Sequence, residues 1–259
     1  MKLFTLPNLL TLGNLFCGCL AVICLFTFQN QLAIEQPQHL SPKSYLVIIL
    51  ILLLVSLVFD LLDGMVARAM KINSDIGIQL DSLADMVTFG FVPGIMMLIL
   101  LNQIFPLSNS GELKVVVDIP WLPFLGLFIT LFSALRLAKF NVDTEQSTYF
   151  KGLATPANTI LIFSLFWIQN QNGFIISKEL DLYFLIGITI LSCYLLIANI
   201  PLFSFKFKGL AWKDNHFKYV FVIICILSLI LFQMNAVPFI ILLYIITSII
   251  FRKKIINVA

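Results

Sequence analysis

Between residues 60 and 85 the chain gathers charged and small side chains in a pattern that suggests chemistry. Asp60, Asp63, Gly64, Ala67 and Arg68 fall at i, i+3, i+4, i+7 and i+8, so on a helix they form one stripe of two acids, two small residues and a cation. A second stripe carries Gly77, Asp81 and Asp85 at intervals of four. Both stripes sit at the ends of apolar runs long enough to cross a bilayer, where an ionised side chain without a partner costs several kcal/mol. Packed face to face, the stripes bring four carboxylates together, and that much like charge calls for a cation between them. Hard oxygen donors suit magnesium, manganese or calcium, whereas zinc prefers His and Cys. The pattern therefore predicts a one- or two-metal carboxylate site beside a cleft of small residues, with Arg68 at hand. The competing reading, ion pairing of the acids with Arg68 and Lys71, leaves part of the cluster uncompensated.

Membrane helices have to position these groups. Hydrophobic residues make up 60% of the chain and charged ones only 11%, with a mean hydropathy of +1.03, far from the composition of a water-soluble domain. The expected fold is all-α, a polytopic membrane protein with about eight transmembrane helices, at residues 9–28, 45–70, 79–103, 120–140, 154–169, 182–203, 217–233 and 237–251. The last two are close enough to form a hairpin, and Ser74 or Asp75 could cap the third. Lys2 and the run after it are broken by Pro7, Asn8, Thr11, Gly13 and Asn14 and show no small-residue cleavage site, so the segment reads as a retained first helix.

Basic residues orient the set. With both termini cytoplasmic, 13 lysines and arginines fall on inner segments and only Lys43, Lys114 and Lys178 on outer loops. The second helix then runs inward, and both acidic stripes lie at the cytoplasmic interface. The net charge of +3 is spread among loops and gives no footprint for nucleic acid. Cys17, Cys19, Cys24, Cys193 and Cys225 all lie in apolar runs and read as small buried hydrophobes. His39 and His216 have no ligand partners at useful spacing.

Taken together, Asp60, Asp63, Gly64, Ala67, Arg68, Gly77, Asp81 and Asp85 spell D-x2-D-G-x2-A-R-x8-G-x3-D-x3-D, which resembles the signature of the CDP-alcohol phosphatidyltransferases. The resemblance implies a magnesium- or manganese-dependent displacement, with one or two divalent ions. In it an alcohol attacks the β-phosphorus of a CDP-linked lipid and CMP leaves. It further implies that Asp60, Asp63, Asp81 and Asp85 hold metal and that Asp85 also acts as the base. Gly64, Ala67 and Gly77 would admit the cytidine nucleotide, Arg68 would contact phosphate, and the assembly would be a homodimer.

Further stretches are similar to the membrane-embedded phosphatidylserine synthases. They are Pro7–Asn8 through Asn14, Gln79–Gly90, the Leu-Arg-Leu-Ala-Lys-Phe-Asn run ending at Asn141, and Gly152–Pro156. Lys139 stands where that family commonly has arginine, and Ala154 where it commonly has proline. The likeness implies CDP-diacylglycerol and L-serine as substrates, with Arg136 and Lys139 as candidates to bind serine's carboxylate. It covers about the first 200 residues. The expected organisation is one integral membrane domain over 1–259, with a catalytic core of about 1–203 and an extra C-terminal helical hairpin at about 217–251, in a bacterial inner membrane. Glycerol 3-phosphate or inositol phosphate as acceptor would demand a denser basic cluster. A divalent cation transporter would be expected to repeat its intramembrane acids in two related halves, and this motif occurs once.

Overall fold

The structure is a computed structural model that describes residues 4–33, 41–72, 74–104, 121–142, 150–171, 173, 178–202 and 212–252. Lys2, His39, Lys114, Lys206, Lys208, Lys253, Lys254 and the 109–120 loop lie outside the described residues, as do the side chains of Lys178, Lys213, His216 and Lys218. Helices dominate, as the apolar runs require. Helices α1 (Leu6–Ala33) and α2 (Pro42–Ala69) have 28 residues each and pack along one another. At 1.5 Å per residue each reaches about 42 Å, beyond the roughly 30 Å hydrocarbon core, so their ends enter the headgroup zone.

The third span, Asp75–Ile104, is continuous but not uniform. It comprises α3 (Asp75–Asp85), a π-helical turn (Met86–Phe91) and α4 (Val92–Ile104). The fourth starts as a 3-10 turn, Leu122–Leu127, and continues as α5 (Phe128–Val142). Helices α6 (Thr155–Gln171), α7 (Lys178–Ile197), α8 (Trp212–Phe232) and α9 (Ala236–Ile250) follow. A two-residue antiparallel bridge pairs β1 (Phe150–Lys151) with β2 (Pro201–Leu202), clamping the start of α6 to the end of α7. Gly152 makes the bend after β1 with φ +77, where a side chain would run into the carbonyls of Leu195, Leu196 and Ala198.

Among the described residues six segments are long and apolar enough to cross a membrane. Two features separate this number from the eight helices expected. Helix α6 has only 17 residues, about 26 Å of rise. The last segment, Tyr219–Ile250, is no single rod: the rings of Phe221 and Tyr244 lie 6.1 Å apart, although 23 residues of straight helix would separate them by about 35 Å. Gln233, with φ 51, sits in the 3-10 turn where the chain doubles back, so α8 and α9 are the arms of a hairpin.

Helix α4 forms the centre. Val92 to Met97 and Ile99 to Leu101 are all buried, as expected for a helix that is apolar all round and enclosed by neighbours. Phe28 of α1 meets Phe166 of α6 edge to face at 5.4 Å beside it. Outward-facing Phe16, Leu54, Leu131, Ile190 and Leu231 are exposed in a band suited to lipid. The π-turn frees backbone carbonyls from the i→i+4 pattern, and neighbouring hydroxyls take them up: Thr159 donates to Phe89 O at 3.0 Å and Thr130 to Gly90 O at 3.1 Å.

Candidate metal and lipid-nucleotide site

The link between α2 and α3 is short, and this sets the site. Ile72 N donates to Ala67 O at 3.0 Å, Lys71 adopts a left-handed φ of 53, and Ser74 caps α3 by accepting from Gly77 N at 2.9 Å. The two acidic stripes are thereby turned toward each other. Carboxylate oxygens of Asp60, Asp63 and Asp81 all lie within 4.8 Å of one another. Asp85 follows one turn deeper on α3.

Helix α1 holds two of these acids in place. Thr11 Oγ1 donates to Asp63 Oδ2 at 2.6 Å, and Asn14 Nδ2 donates to Asp85 Oδ1 at 3.1 Å. Asn14 is itself anchored, because its backbone carbonyl accepts from Thr88 Oγ1 at 3.2 Å and Ser56 Oγ at 3.4 Å. Asp81 Oδ1 and Asn14 Oδ1 are buried acceptors with no hydrogen-bond donor. Acceptors left bare at the centre of a carboxylate cluster are costly, and a hard cation resolves both the bareness and the repulsion. The donor set therefore fits a divalent metal. Arg68 and Lys71 are exposed and form no ion pair with the four acids among the described residues.

Beside the acids lies a cavity of about 160 Å³ lined by Asn8 and Thr11 of α1, Gly64 and Ala67 of α2, and Gly77 of α3. Small residues keep it open. A Cβ on Gly77 would stand 3.0 Å from Ser74 Oγ and 3.4 Å from Asn8 Oδ1, and one on Gly64 would stand 3.4 Å from Arg68 Nη1. The Arg68 guanidinium thus folds back over Gly64 without entering the cavity wall. A larger void of about 480 Å³ between α5 and α7, lined by Phe128, Phe132, Ile190 and Tyr194, has almost no polar surface and offers no catalytic chemistry.

The two candidate cations of α5 part company. Arg136 is only 8% exposed, its guanidinium lies 5.9 Å from the Phe140 ring centroid, and it is within electrostatic reach of Asp85 and of Tyr244 on α9. Lys139 is exposed and donates to Asn199 Oδ1 at 2.7 Å, beyond the end of α7. Sequence reasoning missed the direct roles of Thr11 and Asn14. Their signal was present as polar residues interrupting an apolar helix, three positions apart. It also missed Ser133 of α5 and Thr155 and Asn158 of α6, polar side chains buried in apolar helices.

The profile of the CDP-alcohol phosphatidyltransferase family matches residues 4–202. A CDP-diacylglycerol–serine O-phosphatidyltransferase of Helicobacter pylori is 30% identical over 206 residues, 79% of this chain and 74% of the relative. One of Bacillus subtilis is 29% identical over 155 residues, 58% of this chain and 69% of the relative. An archaetidylserine synthase of Methanothermobacter thermautotrophicus is 31% identical over 165 residues, 62% of this chain and 57% of the relative.

Proposed function

Since the chain belongs to the CDP-alcohol phosphatidyltransferase family, we propose that it transfers the phosphatidyl group of CDP-diacylglycerol to L-serine, giving phosphatidylserine and CMP. The observation that carries this reading is the convergence of Asp60, Asp63 and Asp81 within 4.8 Å, beside a cavity kept open by Gly64, Ala67 and Gly77. The relatives' serine-directed names and the buried cation Arg136, within electrostatic reach of Asp85, support serine as acceptor.

In this reading Asp60, Asp63 and Asp81 are the metal ligands, Asp85 adds a fourth, and the ion is magnesium or manganese. One or two such ions supply neutralisation of the pyrophosphate and of the charge developing on the departing CMP oxygen. The protein's own groups do the rest. Gly64, Ala67 and Gly77 admit the nucleotide close to the backbone, and Arg68 swings from the rim to the phosphates. Asp85, held by Asn14 through one oxygen, takes the proton of the serine hydroxyl with the other. That hydroxyl oxygen attacks the β-phosphorus, and the bond from this phosphorus to the bridging oxygen breaks as CMP leaves. Arg136 receives the serine carboxylate, with Lys139 the outer alternative.

The chain is an integral membrane protein. We place its acids at the cytoplasmic face of a bacterial inner membrane with both termini cytoplasmic, on the bias of 13 basic residues to three. In the same reading α6 and the two arms of the C-terminal hairpin also enter the bilayer, for eight crossings. The chain is then a single domain over 1–259, with its core at about 1–203 and the hairpin at about 217–251, and it works as a homodimer. The test is CMP release by purified protein with CDP-diacylglycerol and manganese, supplying serine, glycerol 3-phosphate or inositol phosphate separately. Release driven by serine alone is expected. Release driven only by a phosphorylated alcohol reassigns the acceptor, and no release under any condition sinks the enzyme.

A further inference from the structure

Resting on the reading of Arg136 as the receiver of the serine carboxylate, we infer that Tyr244 of the C-terminal hairpin is a positioning residue that orients the Arg136 guanidinium. Helix α9 then serves the reaction as well as the membrane. The hairpin follows the residues that match the family, and a mere anchor would need only apolar side chains at its inner face.

Helix α9 is two-faced. Phe239, Leu242, Ile246 and Ile249 are exposed as a lipid-facing side requires, whereas Val237 and Ser248 are buried and Tyr244, between them, is half-buried. Residues 237, 244 and 248 are seven and four positions apart and so share one stripe. The helix packs against α6 and β2, beside the clamp that ties α6 to α7.

Tyr244 stands where two apolar clusters meet. In one it packs with Leu153, Leu195 and Leu202, around the clamp. In the other it packs with Phe221 of α8, the two ring centroids 6.1 Å apart. The ring is therefore held from two sides. A phenolic oxygen lies rigidly on the ring axis, so fixing the ring also fixes where the oxygen points.

Arg136 is the charged group within its reach. The guanidinium is buried, its Nε has no hydrogen-bond partner, and no carboxylate pairs with it among the described residues. Around it stand the Phe140 ring, 5.9 Å away on the same helix, and the oxygens of Asp85 and Tyr244 at electrostatic range. A long side chain held so lightly loses entropy when it grips an anion, and groups that orient it beforehand reduce that loss. Asp85 is engaged by Asn14 and, in the proposed reaction, by metal and proton. Tyr244 is the remaining oxygen that can set the angle of Arg136, and it comes from an element outside the catalytic core.

The experiment is Tyr244→Phe in the full-length protein, with the apparent KM for serine, the KM for CDP-diacylglycerol and the thermal midpoint in detergent measured together. Phenylalanine keeps the ring, its contact with Phe221 and its packing on the clamp, and removes only the oxygen. The expected result is a serine KM raised about 3- to 10-fold with the lipid KM and the midpoint unchanged. An unchanged serine KM overturns the inference. So does a parallel rise of both KM values with a lowered midpoint, which a packing role would produce. Tyr244→Met, whose flexible apolar side chain can fill the same gap, repeats the test should the first variant not fold, with the same two outcomes deciding. A wild-type protein whose CMP release ignores serine defeats the underlying reading itself. A serine-dependent wild type with an unaltered Tyr244 variant defeats only the positioning role.

Discussion

Thr11 and Asp63 are joined by a 2.6 Å hydrogen bond across 52 positions of sequence, the hydroxyl donating to Oδ2. This bond fixes the carboxylate that also stands within 4.8 Å of the carboxylate oxygens of Asp60 and Asp81. Thr11→Val keeps the shape and removes the donor. It is expected to raise the metal concentration for half-maximal activity about 10-fold or more. A manganese titration of CMP release checks this, and an unshifted titration would show that Asp63 needs no such partner.

Asp85→Asn retains the size of the side chain and cannot accept the serine proton. Turnover should fall by about 10²- to 10⁴-fold while CDP-diacylglycerol still binds. Binding of a radiolabelled lipid beside the rate assay separates the two effects. Normal turnover removes Asp85 from its role as base.

Chelation should silence the protein reversibly. EDTA is expected to abolish CMP release, and added manganese or magnesium to restore it in the wild type but not in Asp60→Ala or Asp81→Ala. Calorimetry on the same proteins reads metal binding without activity. Undiminished heat of binding in both variants would place the ion elsewhere.

Gly77→Ala puts a methyl group 3.0 Å from Ser74 Oγ and 3.4 Å from Asn8 Oδ1, at the wall of the cavity. The KM for CDP-diacylglycerol should rise several-fold while that for serine holds, since Arg136, the proposed partner of the serine carboxylate, stands on α5 away from Gly77. Initial rates over a grid of both substrates give the two constants, and equal rises in both would contradict this division of the site.

Gly152→Ala tests the clamp between α6 and α7. Its φ of +77 and three backbone carbonyls within 3.0 Å of an added Cβ leave no room for relaxation. A loss of at least about 1–2 kcal/mol is expected from the left-handed backbone alone. A clear drop in thermal midpoint in detergent would report it, and an unchanged midpoint would mean the clamp yields.

Much of the site could be read from spacing because helical periodicity converts sequence intervals directly into faces. Asp60, Asp63 and Asp81 needed only a short link between two helices to meet, and Ser74 marked where the second helix begins. Contacts between distant helices were harder. Nothing in the interval from Thr11 to Asp63 or from Asn14 to Asp85 says that α1 lies over both stripes. Arg136 and Lys139 share a sequence stretch and nearly a helix face, yet burial of one and the length of the other's side chain send them to different neighbours. The hairpin of α8 and α9 was legible in the three residues from Met234 to Ala236, and the shortness of α6 was legible in the 154–169 run, which the structure places at Thr155–Gln171.

The π-turn at Met86–Phe91 acts as a phase adjuster in the third span. Each residue of an α-helix rotates the chain by about 100°, so a single extra residue re-aims everything beyond it. Before the turn, Asp81 and Asp85 answer to α2 and α1; within it, Phe89 and Gly90 answer to α6 and α5. An unbroken helix would lock these two orientations to one angle. With the offset in place, the interior of the bundle can be repacked without turning the carboxylates, and a one-residue deletion here would misalign the two halves while leaving every acid in the chain.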